Sequence, residues 1–345
     1  MNKKFASNKN IFPVISLILC AVIAFGIVGY DCIFSAKESN KSFVAMGTVV
    51  TSSVWTKSNN NIQQEINDEV NALEKSLLSK NIATSEIGRV NSEKSTSISN
   101  DLSDIILKCN DISELTNGAF DISICPVSSL WDFGGKNQRI PDDDEIQSAL
   151  DNVNYKSVSV KGTNISIGKN QSIDLGAVGK GYACDSIKKI LDNHNAKKGV
   201  ISVGGSLLIY GNDTFTIGIA NPSGNKTAMG TLKLKDCFVS TSGDYEKFFE
   251  QDGKKYHHIL DANTGYPADK YLSSVTVVCD SGLLSDALST ACFILGYNDS
   301  LPLLEKYEAD AVFIFKDKTV KYTDGLKKSF KIINSEYKAE NETDK

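Results

Sequence analysis

The sequence predicts an α+β fold, a body of mixed, largely antiparallel strands with helices packed on it. Three observations point there. Apolar residues recur at helical spacing in separate blocks, without a regular strand–helix alternation. From Tyr155 to Asp280, short β-branched and alternating runs follow one another with one strong helix among them. The chain has 345 residues, 41% hydrophobic and 23% charged, a globular composition long enough for one large domain or two small ones. No internal repeat is present and no linker splits the body. One compound domain is therefore expected over 42–333, preceded by an N-terminal segment (1–34) and a polar linker (35–41), and followed by a polar tail (334–345).

Lys3, Lys4 and Lys9 precede the uncharged run Ile11 to Tyr30, "IFPVISLILCAVIAFGIVGY", which is about the length needed to cross a bilayer. Basic residues before such a run predict an inside N-terminus and an outward-facing remainder. A retained transmembrane anchor, a cleaved signal peptide and a lipid-modified cysteine are the three alternatives. Cys20 follows Leu19 and Cys32 follows Asp31, neither of them the small residue usual before a lipidated cysteine. All three alternatives put the body outside the cytoplasm, at the outer face of the cell membrane or released from it.

"FVAMGTVVTSSVW" alternates and is rich in β-branched residues, so it reads as a strand. Ile62, Ile66, Val70, Leu73 and Leu77 mark a helix over 62–78, and Leu102 to Leu115 a second. "GAFDISICPVSSLWDFGG" reads as loop, and "PDDDEIQSAL" carries the proline and acids of a helix start. Strands are expected in "YKSVSV", "NISIG", "GVISVGGSLLIYG", "TFTIGIA", "MGTLKLKDCFVST", "DYEKFFEQDGKKYHHIL" and "SSVTVVCD". Helices are expected over Gly179 to Leu191, Leu284 to Leu295 and near Leu301 to Tyr307. A strand "AVFIFK" and a hairpin-like "KTVKYTDGLKKSF" complete the body, and the charged last dozen residues read as frayed.

The net charge of −5 argues against nucleic acid as the main partner, which would favour a basic face. None of the eight cysteines forms a C-x-x-C pair, so neither a zinc site nor a redox motif is visible. The six in the body read as small buried thiols.

Four stretches carry chemistry. "SIDLGAVGKGYACDSIKKI" passes from a strand through Gly176, Gly179 and Gly181 into a helix. Amides at that helix start, with Lys180 beside them, suit a phosphate or pyrophosphate, and Asp174 suits a ribose or a polar ring edge. The plainer reading is an ordinary glycine-rich turn. In "SDALSTACFILG", Asp286 and Thr290 are four apart and share a helix face. They offer hard oxygen ligands suited to magnesium, or else a buried helix acid and hydroxyl. Phe120, Asp121 and Trp131 surround a turn and could stack on a flat ring, or be core. In "HHILDANTGYP", alternation puts His258 and Leu260 on one strand face and His257 on the other. Periodicity alone does not choose which histidine is a base and which is structural.

Taken together, "AMGT", "SEIGRVN", "TNGAFDIS", "IDLGAVGKGYACD", "VSTSGDYEKFF", "HHILDANTGYP" and "DALSTACFILG", in this order, resemble the ApbE family of flavin transferases, FAD:protein FMN transferases. The resemblance spans about Phe43 to Phe330. It implies an ApbE/T-fold-like α+β body with FAD in a cleft. It implies transfer of FMN through a phosphoester to a threonine or serine hydroxyl of an acceptor protein, with AMP leaving and Mg2+ required. By that resemblance Met46, Ala119, Phe120, Asp121, Asp174, Lys180 and Leu260 line the FAD site. The Ala177 carbonyl, Asp286 and Thr290 hold the metal. His258 is the base, and His257 falls at a variable position.

Where many members of the family place an aromatic before "SEIGRVN", this chain has Asn81. A lost stacking surface there implies a side activity that hydrolyses FAD to FMN and AMP. Acceptors in the family carry an Asp-Gly-x-Ser/Thr-Gly-Ala-Ser/Thr type motif. This chain has none, so the flavin is expected to go to another protein, an exported or membrane redox subunit. A dedicated FAD diphosphatase and a non-catalytic surface flavin-binding protein are the competing functions.

Overall fold

The computed structural model describes residues 36–57, 61–224 and 227–340. The expected membrane or signal segment lies outside them. Among the described residues no helix is long and apolar enough to cross a membrane.

Hairpins build most of the body. The run "FVAMGTVVTSSVW" is two strands, β1 (Lys37–Ala45) and β2 (Thr48–Thr56), not one. Met46 and Gly47 between them both have positive φ, 52° and 67°, the backbone a two-residue hairpin turn demands. β1 starts at Lys37, so most of the stretch expected as linker is paired with β2. The same splitting gives the hairpins of β6 (Lys198–Val203) with β7 (Ser206–Gly211) and of β11 (Phe248–Gln251) with β12 (Lys254–His257), while "MGTLKLKDCFVST" splits into β9 (Gly230–Leu234) and β10 (Cys237–Gly243), which enter different sheets. Asp252 and Gly253, again with positive φ, turn the last of these hairpins.

β1, β2, β6, β7 and β10 join β13 (Leu272–Cys279), β14 (Asp310–Phe315), β15 (Thr319–Tyr322) and β17 (Lys338–Ala339) in a nine-stranded sheet of order β1-β2-β6-β7-β10-β13-β14-β15-β17. Its ladders are antiparallel except β15–β17. A three-stranded sheet, β16 (Phe330–Ile332), β9 and β8 (Phe215–Ile219), packs its apolar side on part of the large sheet through Ile219, Leu232, Val239 and Ile314. Smaller pieces are β11–β12 and a sheet of β3 (Ser95–Ser97), β5 (Asn164–Ser166) and β4 (Ser159–Lys161).

Two expectations at the C-terminal end fail. "KTVKYTDGLKKSF" is not a hairpin, because β15 pairs with β14 and β16 crosses to β9. Nor is the chain frayed over 334–340. Tyr337 is buried, its hydroxyl donates to Asn221 Oδ1 at 2.6 Å, and β17 joins the sheet. One aromatic ring with an internal acceptor outweighs the polar composition around it.

The helices are α1 (Ile62–Ala72, extended by a π-turn segment Leu73–Leu78), α2 (Glu86–Glu93), α3 (Asn100–Leu115), α4 (Cys125–Trp131), α5 (Asp143–Leu150), α6 (Gly179–Asn193), α7 (Gly282–Leu295) and α8 (Tyr297–Lys306). α4 falls in the stretch expected as loop, started by Pro126 in its first turn. α7 is the central helix, buried almost all round against β10, β13 and α6. It crosses α6 where two glycines meet. A Cβ on Gly181 would lie 2.0 Å from the Gly282 carbonyl oxygen, and one on Gly282 would lie 2.2 Å from that of Gly181. Only glycine permits this approach, and the approach brings α7's acid to the start of α6. The six described body cysteines are free and buried.

Candidate active site

The crossing of α6 and α7 organises the site. Asp286, 3% exposed, accepts the Gly181 N–H at 2.9 Å through Oδ2 and the Ser206 hydroxyl at 3.1 Å through Oδ1. Lys180 Nζ lies 3.6 Å from Oδ1. The Asp286 charge raises the Lys180 pKa against the opposing effect of burial, so the lysine stays cationic. Thr290, one turn further along α7, has its hydroxyl 3.1 Å from that of Ser242.

Asp286, Thr290 and Ala177 all border a cavity of about 150 Å³, together with Phe120, Asp121, Asp174, Lys180, Glu246, His258 and Leu260. The donor set suits a small hard cation: the Asp286 carboxylate, whose Oδ2 accepts only the Gly181 N–H, one hydroxyl and one peptide carbonyl. Among the described residues no cluster of three or more histidine, cysteine or acidic side chains is present. Two side-chain ligands suffice for magnesium when phosphates and water complete its shell.

A second cavity of about 950 Å³ adjoins this one, sharing Ser128, Asp174, Gly176, Lys180, Thr241, Glu246 and His258 with it. Its wall also includes Met46, Lys80, Asn81 and Phe133. Met46 is held at its positive-φ turn by its N–H donating to Glu74 Oε2 at 2.8 Å. Asp174 pairs with Lys80 at 2.7 Å and accepts the Gly176 N–H at 2.9 Å.

The two histidines are inequivalent. His257 is buried, with Nε2 3.1 Å from the Ala268 carbonyl and its ring edge-on to Phe293 at 5.4 Å. His258 follows the end of β12, half-buried on both cavities. Its Nδ1 lies 3.2 Å from the Lys247 carbonyl. A carbonyl only accepts, so the hydrogen bond puts the proton on Nδ1 and leaves Nε2 as the lone-pair nitrogen. Burial, reinforced by the Lys247 charge, pushes the His258 pKa down to about 4, so the ring is neutral at pH 7. Burial does the same to His257.

The remaining predicted positions divide. Leu260 is buried and bridges to Pro267 beside the turn that Asp261 closes by accepting the Gly265 N–H at 2.8 Å. Phe120 is buried at the cavity wall. Asp121 reaches that wall, but its oxygens accept from the Ser123 N–H and hydroxyl and the Tyr155 N–H, so it chiefly holds its own loop. Ala119 lines neither cavity; its carbonyl accepts the Ala262 N–H at 3.1 Å and ties that loop to the Asp261 turn. Asn81 sits exposed on the rim of the larger cavity. Trp131 is core, its indole N–H donating to the Gly265 carbonyl at 2.9 Å. Phe133 stacks on Trp131, ring centroids 5.5 Å apart and 8° from parallel, and is an aromatic on the wall of the larger cavity.

Sequence reasoning missed Lys80, Phe133 and Glu246. Burial, with Asp286 adding to it and Lys180 opposing it, raises the Glu246 pKa. Its signal was an acid directly behind the "STSGDY" turn, in a motif already singled out. Phe133 lay inside the quoted "GAFDISICPVSSLWDFGG" and Lys80 shortly before "SEIGRVN", and neither carried a signal of its own.

Known proteins share this architecture. The pattern of the ApbE family matches residues 46–314. An FAD:protein FMN transferase of Treponema pallidum is 33% identical over 249 residues, covering 65% of this chain and 68% of that protein. One from Klebsiella pneumoniae is 32% identical over 269 residues, covering 76% and 84%. The crystal structure of an ApbE protein from Thermotoga maritima superposes with a TM-score of 0.79 at 29% identity, covering 84% of this chain and 98% of that one. The Pseudomonas stutzeri flavinyl transferase ApbE gives 0.74 at 25% identity, with 84% and 96% covered.

Proposed function

The chain belongs to the ApbE family and is an FAD:protein FMN transferase; from that premise we propose that His258 is its general base, that magnesium is its cofactor, and that the acceptor is a threonine or serine hydroxyl of an exported or membrane redox protein. The observation that carries the residue assignment is the lone-pair Nε2 of His258 on a cavity also bordered by Asp286, Thr290, Lys180 and Asp174.

In this reading FAD lies along the joined cavities against Met46, Phe120, Asp174 and Leu260, with its pyrophosphate towards Lys180. Ala119 and Asp121 shape the loop that frames it, and Asn81 stands at its edge. A hydroxyl is a poor nucleophile until a base takes its proton, and His258 Nε2 accepts that proton as the oxygen attacks the FMN-side phosphorus. The P–O bond to AMP breaks and AMP leaves. The negative charge of bound pyrophosphate raises the basicity of His258 above that of the ligand-free ring. Lys180 stabilises charge on the departing phosphate. The Ala177 carbonyl, Asp286 and Thr290 would hold magnesium, which when bound neutralises pyrophosphate charge. His257 has a structural role, its ring anchored to Ala268 and Phe293.

The proposed setting is the outer face of the cell membrane, with Ile11 to Tyr30 as an anchor, and with a lipidated or released form as the alternative. Exposed Asn81 supports a hydrolytic side reaction, read as AMP release from FAD and magnesium without acceptor. The main test mixes the protein, FAD, magnesium and a peptide carrying an Asp-Gly-x-Ser/Thr-Gly-Ala-Ser/Thr segment. A covalent FMN mass increment that disappears with a chelator supports the proposal; an unmodified peptide contradicts it.

A further inference from the structure

The transferase must bring a stretch of another protein to His258, and the small sheet offers a place for it. β8 is the outer strand in the order β16-β9-β8. On the other side of β9, the Lys233 N–H bonds the Ser329 carbonyl at 2.9 Å, so the odd-numbered residues of β9 face β16. Antiparallel alternation then directs Gly230, Leu232 and Leu234 at β8, where they pair with Ile219, Ile217 and Phe215. The backbone N–H and C=O groups of Thr216 and Gly218 therefore point away from the sheet, and both residues are exposed.

Among the described residues no strand pairs with this edge. Exposed edges are commonly blunted by charges, proline or bulges. The nine-residue edge strand β1 carries Lys37, Glu38 and Lys41. β8, Phe-Thr-Ile-Gly-Ile, carries no charge and no proline, and one of its two outward-facing residues is a glycine, with no side chain to obstruct an incoming strand. Ile217, Gly218, Ile219 and Ala220 also line the larger cavity, which His258 and Lys180 border as well. Leu207 and Val239 of the large sheet form the facing apolar wall.

We infer that the acceptor protein binds as an extended segment added to the free edge of β8, its main chain hydrogen-bonded to Thr216 and Gly218, so that its hydroxyl residue enters the cavity at His258. Main-chain pairing supplies affinity without demanding particular side chains, and alternate side chains of the added strand face the Leu207–Val239 wall. The occupant is polypeptide because the reaction joins FMN to a protein hydroxyl. The inference rests on the transferase reading.

Gly218→Pro removes one outward N–H and leaves every β8–β9 hydrogen bond in place; Thr216→Pro does the same one register earlier. Transfer is measured with a synthetic peptide carrying an Asp-Gly-x-Ser-Gly-Ala-Thr segment, together with FAD affinity and thermal unfolding. Each variant is expected to raise the peptide KM about tenfold, roughly one net hydrogen bond, with FAD affinity unchanged. If one variant unfolds early, the other carries the test. An independent arm uses wild-type enzyme and peptides N-methylated one amide at a time. Sensitivity should alternate, every second amide weakening transfer about tenfold, the pattern of a paired strand. An unchanged peptide KM in the folded variants, a raised FAD KM instead, or N-methyl effects without alternation overturns the inference. Failure of the wild-type enzyme to modify any peptide or acceptor strikes the transferase reading itself, a distinct result.

Discussion

Gly181→Ala places one methyl group at the contact on which the site depends. Its Cβ would sit 2.0 Å from the Gly282 carbonyl oxygen, 2.6 Å from the carbonyl carbon and 2.7 Å from Asp286 Cβ. Two of those atoms are backbone and the third is the stem of the acid, so no flexible side-chain end can swing aside. Ordinary contact begins near 3.4 Å, so α6 and α7 must separate by more than an ångström. That movement breaks the 2.9 Å bond from the Gly181 N–H to Asp286. Overpacking costs about 1–3 kcal/mol and the lost bond to a buried carboxylate about 1.5–3 kcal/mol, so a total of roughly 3–5 kcal/mol is expected. Urea unfolding measures it. Flavin transfer, read at a temperature where the variant remains folded, should fall as well, because Asp286 and Lys180 shift together. An alanine variant within about 1 kcal/mol of the wild type, with undiminished transfer, would refute the argument that the glycine pair positions the acid.

Asp286→Asn keeps the shape of the site and removes its buried charge; transfer should fall about a hundredfold or more, with a higher magnesium requirement, and an unchanged magnesium dependence would remove Asp286 from the metal site. His257 provides a pH test. Its folded pKa, about 4, lies below the ordinary 6.5, so the unfolded chain binds the proton more readily. The resulting stability, on the order of 3 kcal/mol, is complete above pH 6.5 and is lost as pH falls towards 4. Urea unfolding of His257→Gln should lose part of the wild-type pH slope over that window, the His258 share remaining; identical slopes would contradict the buried-neutral assignment.

Much of the fold was legible because its signals are local. Helical spacing marked α1, α3, α6 and α7 within a few residues, and alternation found most strands. Hairpin turns were read through, as at Met46–Gly47, because β propensity stays high on both sides of a two-residue turn. Partners across long separations were not legible: nothing local tells that β16 leaves β15 for β9, or that Tyr337 finds Asn221. The site divides the same way. Strand alternation made His257 and His258 inequivalent but did not say which of them is buried; it is His257. The pairing of Asp286 with Gly181 came from a helix crossing that spacing cannot display. Phe133 was not legible because neither its stacking on Trp131 nor its place on the cavity wall is displayed by spacing.

The most direct test of the central claim is a single-turnover comparison of wild type, His258→Ala and His257→Gln with FAD, magnesium and an acceptor peptide. Covalent FMN on the peptide is followed by mass, and FAD retention by equilibrium binding. The account predicts rapid threonine- or serine-linked FMN with the wild type and with folded His257→Gln. It predicts none on the same timescale with His258→Ala, which should still hold FAD. Equal transfer by His258→Ala would contradict it.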